Sequence, residues 1–380
     1  MSKPPMTPSP FRISIRRMNK PNSLYVHIPF CEGICAYCDF TKVLFNKKWA
    51  FSYVEELEKE LKSKEIGLVD TIYVGGGTPT CLPIELLDKV LSMLQPHLSE
   101  GGEFSIESNP ENLSIEKCSL LVSKGVNRLS IGVQSTKSKF LSSMGRKHNL
   151  DQVKKAISNA KKASISNINL DMIYGLPTET VEDAIKDAKI LSSLGVEHLS
   201  AYSLTIGNGT LFHQQGFHEA SQEDNASQYE AIMDVFEKAG YKRYEVSNFA
   251  KEGFECRHNL TYWKDNRYYA IGLGASGYEE DIRYKNTSNL SKYLQGQWLS
   301  EEEKVKKNDD IHYYLLCNLR LVEGFLLKDF EDRFGYSFLE AKLETINKLK
   351  GQGLLEANPR SIRCSERGLY LLDRILVDLF

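Results

Sequence analysis

The chain has 380 residues, 48 of them Lys or Arg against 50 Asp or Glu, for a formal net charge of −2 at pH 7. So even a balance excludes a nucleic-acid binder working by bulk charge, and no apolar run approaches the roughly 20 residues that cross a bilayer. Eight cysteines in a chain this long do not make a disulfide scaffold, so the expectation is a cytoplasmic protein with one barrel-sized domain and a smaller companion.

Residues 1–22 form the first segment, where Lys3, Arg12, Arg16, Arg17 and Lys20 stand without acids among Pro4, Pro5, Pro8 and Pro10. This composition predicts a disordered, solvated basic leader, with peripheral contact to anionic lipid as the alternative. Leu24 to Ile28 then predicts a first strand, followed at once by Cys31, Cys35 and Cys38 in C-x3-C-x2-C spacing. A cubane iron–sulfur cluster normally takes four thiolates, so three on one short loop leave one iron open to another ligand. A Cys3His zinc site recruiting His27 is the competing reading of the same residues. Cys81, Cys118, Cys317 and Cys364 are scattered and read as small buried apolar side chains.

From the loop to about residue 250, strand-like and helix-like segments alternate, the pattern of parallel β/α units. Trp49 to Lys62 places Tyr53, Val54, Leu57 and Leu61 on one helical face. Further strands are predicted at Thr71 to Val74, Phe104 to Glu107, Arg128 to Val133, Ile168 to Tyr174 and His198 to Leu204. Six strands with five intervening helices predict an incomplete barrel, open on one side to a large substrate. In such folds the chemistry collects at the carboxyl ends of the strands. Strand two ends in Gly75, Gly76 and Gly77 before Thr78 and Pro79, where missing side chains let the backbone approach a ligand. Glu107-Ser108-Asn109-Pro110 ends strand three, Gly132-Val133-Gln134-Ser135 strand four, and Asp171-Met172-Ile173-Tyr174-Gly175 strand five.

Residues 251–299 carry His258, Asn259, Tyr262 and Trp263 in an H-N-x-x-Y-W motif and are read as a motif region with a linker. Over 300–380 the composition turns to charged helical segments. A polar linker at Glu301-Glu302-Glu303-Lys304 is followed by predicted helices at Asp310 to Leu321, Leu326 to Phe334 and Phe338 to Lys350. A hairpin of Leu354 to Asn358 and Ser361 to Cys364 precedes a last helix, Glu366 to Leu379. The order is winged-helix-like, but its basic residues are matched by acids, so no nucleic-acid partner is expected.

From about Leu24 to the last residue, these motifs resemble the radical SAM proteins, and within them the oxygen-independent coproporphyrinogen III dehydrogenases and their heme-chaperone relatives. The resemblance implies an α/β fold: a radical SAM partial (β/α)6 barrel over 23–250, then a small, mainly α, winged-helix-like C-terminal domain. It implies a [4Fe-4S] cluster on Cys31, Cys35 and Cys38 whose fourth iron chelates S-adenosylmethionine (SAM). Carried over position by position, Tyr25, Tyr37, Gly76, Gly77, Thr78, Glu107, Gln134, Arg146 and Asp171 line the SAM pocket. An electron donor such as flavodoxin or ferredoxin is implied for the cluster.

Three features select the chaperone branch by the same resemblance. Asp39 and Phe40 follow the third cysteine where dehydrogenases carry Gly and a fourth Cys, the arm ahead of the loop is short, and the H-N-x-x-Y-W motif is the chaperones' own. The implied function is to bind heme and pass it to acceptor proteins of the respiratory chain, with His258, Tyr262 and Trp263 in contact with the heme. A neutral imidazole is a common axial ligand and the two aromatics suit a flat macrocycle, while Cys256 is a second candidate ligand and a packed histidine the plain alternative. The competing branch is oxidative decarboxylation of coproporphyrinogen III in porphyrin biosynthesis. The chain departs from the family at Gly207-Asn208, where an acidic residue and proline are usual, and at Ser276-Gly277, where a His-Ser pair is usual.

Overall fold

The computed structural model describes residues 20–380, so all but the last few residues of the expected basic leader lie outside the described residues. Six strands run parallel in chain order: β1 (Ser23–Ile28), β2 (Val69–Gly76), β3 (Leu98–Ser108), β4 (Arg128–Gln134), β5 (Asn167–Tyr174) and β6 (His198–Ser203). All six predicted strands are present, five within two residues of their expected ends, while β3 begins at Leu98, six residues before the expected Phe104. Between them lie helices that include α1 (Lys47–Ser63), α2 (Ile84–Leu94), α3 (Ile115–Ser123), α4 (Leu150–Lys162) and α5 (Val181–Ser193).

Alternation along each strand sets what faces where. In β1, Leu24, Val26 and Ile28 are fully buried against the helical layer, where Tyr53, Val54 and Leu57 of α1 meet them in the main core. The intervening residues point into the barrel, and there they are polar: Ser23, Tyr25 and His27 from β1, Thr71 and Tyr73 from β2, Glu103 and Glu107 from β3. Buried polar groups are tolerated only when hydrogen-bonded, so this interior is a network: Ser130 donates to Asp171, and His198 bonds Asn169 and Tyr244.

The sheet has nine strands, not six. β7 (Lys242–Arg243) and β8 (Asn248–Ala250) continue it antiparallel beyond β6, and β9 (Tyr269–Ile271) adds parallel to β1 at the other edge. β9 and β7 do not pair, so the barrel stays open. The expected motif-and-linker region 251–299 therefore supplies the barrel with an edge strand. Its motif forms helix α6 (Arg257–Trp263), and after β9 the chain makes a three-stranded antiparallel sheet of Ser276–Glu279, Ile282–Asn286 and Leu299–Lys304. The predicted polar linker at Glu301 to Lys304 is the edge strand of that sheet, with all its side chains exposed. Its row of charges discourages edge-to-edge pairing.

The C-terminal unit has its own core around Phe330, Phe338, Ile346, Leu349, Ile362 and Ile375. Helices α7 (Lys307–Asn318), α8 (Leu327–Phe334) and α9 (Leu343–Gly351) surround a small sheet of Phe325–Leu326, Ser361–Cys364 and Leu355–Ala357. Two helices predicted as single pieces are broken, at Lys342 and at Leu371, where the backbone leaves helical geometry. A buried ion cluster joins this unit to the barrel. Arg333 of α8 reaches Asp265, just past α6, and Asp310 of α7, with Asp265 also paired to Arg283 at 2.7 Å.

Candidate functional site

At the carboxyl ends of the parallel strands a cavity of about 510 Å³ opens between the cysteine loop and the strand ends. Cys31, Cys35 and Cys38 line it, and none is in a disulfide. The loop is braced from both sides. Phe30–Cys31 pairs with Val43–Leu44, the Ala36 amide donates to the Met144 carbonyl, and Lys42 Nζ donates to the Cys38 carbonyl at 2.5 Å. Burial pushes the Cys31 thiol up to about 11 and raises that of Cys38.

Of the nine residues expected around SAM, eight line this cavity: Tyr37, Gly76, Gly77, Thr78, Glu107, Gln134, Arg146 and Asp171. The ninth, Tyr25, is not among the lining residues, its hydroxyl donating to His27 Nδ1 at 3.0 Å. Gly76 has a left-handed φ of 109°, and a Cβ there would run into the His27 ring. A Cβ on Gly77 would sit 2.6 Å from the Phe30 carbonyl oxygen. Only bare backbone fits these two positions, which leaves their peptide groups at the cavity wall. Gln134 is brought to the rim by a register shift at the end of β4, its own φ of 67° being in the left-handed region.

His27 is committed elsewhere than to a metal. Its Nε2 donates to the Thr41 carbonyl at 2.8 Å and its Nδ1 accepts from Tyr25, with burial pushing the imidazole down to about 4. The Cys3His zinc alternative needs one of those nitrogens. Among the described residues no three His, Cys, Asp or Glu side chains converge as they would around a single ion.

Two carboxylates face the cavity. Glu107 accepts from the Tyr73 hydroxyl at 2.9 Å and from the Gly76 amide at 3.0 Å, while burial, only partly offset by those bonds, pushes it up to about 7. Asp171 is also raised by burial and accepts from Ser130 and Asn169, each at 2.8 Å. Opposite them Arg146 donates to Asn109 Oδ1 at 2.8 Å and to the Gly132 carbonyl, and stands 3.7 Å from Cys35 Sγ. Its Nε is buried without a partner among the described residues. Asn109 and Tyr73 were not among the expected site residues; the strand-ending Asn109-Pro110 was the available signal for the first, and nothing local marks the second.

The motif residues lie at the opposite end of the barrel. Helix α6 plugs the amino-terminal ends of the strands, where Ser23 bonds Thr261 and Glu103 caps the helix by accepting from the Arg257 and His258 amides at 3.0 and 3.1 Å. His258 is completely buried, with Nδ1 bonded to Thr71 Oγ1 and Nε2 to the Tyr262 hydroxyl, each at 2.7 Å. Burial pushes it down to about 3, so it is neutral. In this structure both ring nitrogens of the imidazole expected at heme are occupied inside the core. Cys256 is buried with its thiol on Glu103, and Trp263 is half-buried at the outer end of the helix.

Residues 25–191 match the radical SAM superfamily model, and residues 305–371 match the HemN C-terminal domain model. A heme chaperone HemW of Lactococcus lactis is 40% identical over 363 residues, spanning 93% of this chain and 96% of the relative. The chain belongs to the HemW heme chaperone family of radical SAM proteins. Its HemW relative in Bacillus subtilis is 35% identical over 92% of this chain and 96% of its own length. Among solved structures, the coproporphyrinogen III oxidase HemN of Escherichia coli superposes with a TM-score of 0.82 at 22% identity, over 97% of this chain and 92% of that one, a likeness of fold. Radical SAM membership brings a [4Fe-4S] cluster and SAM, and the coproporphyrinogen enzyme reading is not favoured beside HemW relatives of this identity. Among the described residues no helix is long and apolar enough to cross a membrane.

Proposed function

We propose that the chain binds heme and passes it to acceptor proteins of the respiratory chain, and that Cys31, Cys35 and Cys38 hold the cluster in the cavity. The observation that carries this is the meeting of three free thiols, a bare glycine backbone, Glu107, Asp171 and Arg146 on one cavity, in a chain with HemW relatives along nearly its whole length. The donor set suits the group: thiolates for iron, and an orphaned Arg146 Nε for an anionic ligand. Bound there, the cluster supplies one-electron chemistry to SAM, fed by a donor of the flavodoxin or ferredoxin kind.

The side chains do the positioning. Gly76 and Gly77 offer peptide groups, Arg146 offers a guanidinium to a carboxylate, and Glu107 and Asp171 offer acceptors to an ammonium or to ribose hydroxyls. Thr78 and Gln134 extend the polar wall, and Tyr37 closes it beside the cysteine loop. With α6 in place, Tyr262 and Trp263 are each half-buried, and contact by the fully buried His258 requires the helix to leave the barrel.

Iron and sulfide analysis after anaerobic reconstitution tests the cluster. The wild type should hold about four of each and Cys35→Ser should lose most of both. Hemin titration should give a shifted Soret band in the full-length protein, and incubation with coproporphyrinogen, SAM and a reductant should give no protoporphyrinogen above background. Zinc in place of iron, or an unshifted Soret band, would overturn the reading.

A further inference from the structure

The motif helix reaches the cavity from below. His258 lies flat against Tyr73, ring centroids 5.2 Å apart and planes 27° apart, and the Tyr73 hydroxyl is the one that donates to Glu107. Both edges of the imidazole are pinned, to Thr71 on β2 and to Tyr262 one helical turn on, and Glu103 fixes the start of the helix from β3. An aromatic ring held on one face by such a platform has little rotational freedom, and its hydroxyl is aimed.

We propose that His258 is a positioning residue of the SAM pocket, acting through Tyr73 on Glu107, and is not a heme ligand. This rests on the reading that SAM binds in the cavity beside Glu107. A ring that is neutral, planar and able to bond at both edges is what the position requires. A cationic imidazole is disfavoured there by burial and by the Arg128 guanidinium nearby.

The consequence is read in pH. Around Glu107 stand Tyr73 on β2, Tyr25 on β1, Arg128 on β4, Asp171 on β5, Tyr202 on β6 and Tyr262 on α6. Of these, the Tyr73 hydrogen bond is the strongest influence holding the carboxyl down against burial. Without it, Glu107 ionises at higher pH, and a pocket that needs the carboxylate binds SAM only at higher pH.

The test uses anaerobically reconstituted full-length protein, with SAM binding followed by the change it makes in the EPR spectrum of the reduced cluster across a pH series, and hemin binding followed in parallel by the Soret band. Tyr73→Phe and His258→Ala should each weaken SAM binding about tenfold near pH 7 and move its pH midpoint upward, with the hemin titration unchanged. Tyr73→Phe keeps the ring and its stacking, so it tests the relay even if His258→Ala fails to fold. An unmoved midpoint in Tyr73→Phe overturns the proposal, as does a His258→Ala protein that loses the Soret shift but binds SAM normally. Failure of the wild type to bind SAM would sink the underlying reading, a result visible before any variant is made.

Discussion

The Arg146 guanidinium stands 3.7 Å from the Cys35 sulfur, and through the same Nη1 it holds Asn109 at 2.8 Å, so one side chain ties the cysteine loop to the end of β3. Its Nη2 donates at the same time to the Gly132 carbonyl, so the planar fork spans partners that a single lysine nitrogen does not. Arg146→Lys should therefore weaken SAM binding by about tenfold while leaving iron and sulfide content close to that of the wild type. Calorimetric titration of SAM into the reconstituted proteins measures it, and wild-type affinity in the variant would refute the role.

Gly77 tolerates no side chain, because a Cβ would press on the Pro29 and Phe30 backbone at 2.6 to 2.8 Å. Backbone cannot swing aside as a side chain can. Gly77→Ala should cost on the order of 1–3 kcal/mol in unfolding free energy and impair SAM binding. Thermal unfolding that matches the wild type would show that the loop relaxes freely.

Arg333 and Asp265 form a pair that is largely out of water, with side chains 16% and 3% exposed. Removing Arg333 leaves Asp265 with Arg283 alone and Asp310 with Arg267 at 3.7 Å, two largely buried carboxylates short of a partner. Arg333→Met should destabilise by roughly 2–3 kcal/mol, below the full cost of an unpaired buried charge because Arg283 still holds Asp265, and should loosen the C-terminal unit from the barrel. Breaking the surface pair of Arg363 and Glu356 with Arg363→Ala should change stability by no more than about 1 kcal/mol. Urea unfolding of the two variants side by side decides the ranking.

Glu179 accepts from the Leu176 amide at 3.0 Å, yet its second oxygen is buried without a partner among the described residues. Burial pushes the carboxyl up to about 7 from its ordinary 4.5. The folded chain thus binds more protons than the unfolded one between those values, and this group's contribution to stability falls as pH rises through that window. Glu179→Gln should stabilise the protein at pH 8, on the order of 1 kcal/mol, and change it little at pH 5. Melting temperatures at the two pH values would expose the opposite sign at once.

The cysteine spacing, the glycine triplet and the strand-ending Glu107, Gln134 and Asp171 were legible because each is a local pattern at the carboxyl end of its own strand. Residues whose role depends on a partner far along the chain were not. Tyr25 is not among the residues that line the cavity, its hydroxyl being taken up by His27 two residues along the same strand. Tyr73 carries no motif at all and acquires its place only from Glu107 on one side and His258 on the other.

From the residues alone come the strands, their order, the thiolate loop and the family resemblance, since periodicity and ligand spacing are properties of near neighbours. Folding alone decided where the H-N-x-x-Y-W helix goes. Its capping carboxylate, Glu103, lies more than 150 positions earlier on β3, and its histidine finds Thr71 from still farther away. Such a site exists only once the barrel has assembled around it, because burying a polar cap and two imidazole nitrogens is tolerable only where every one of them finds its partner.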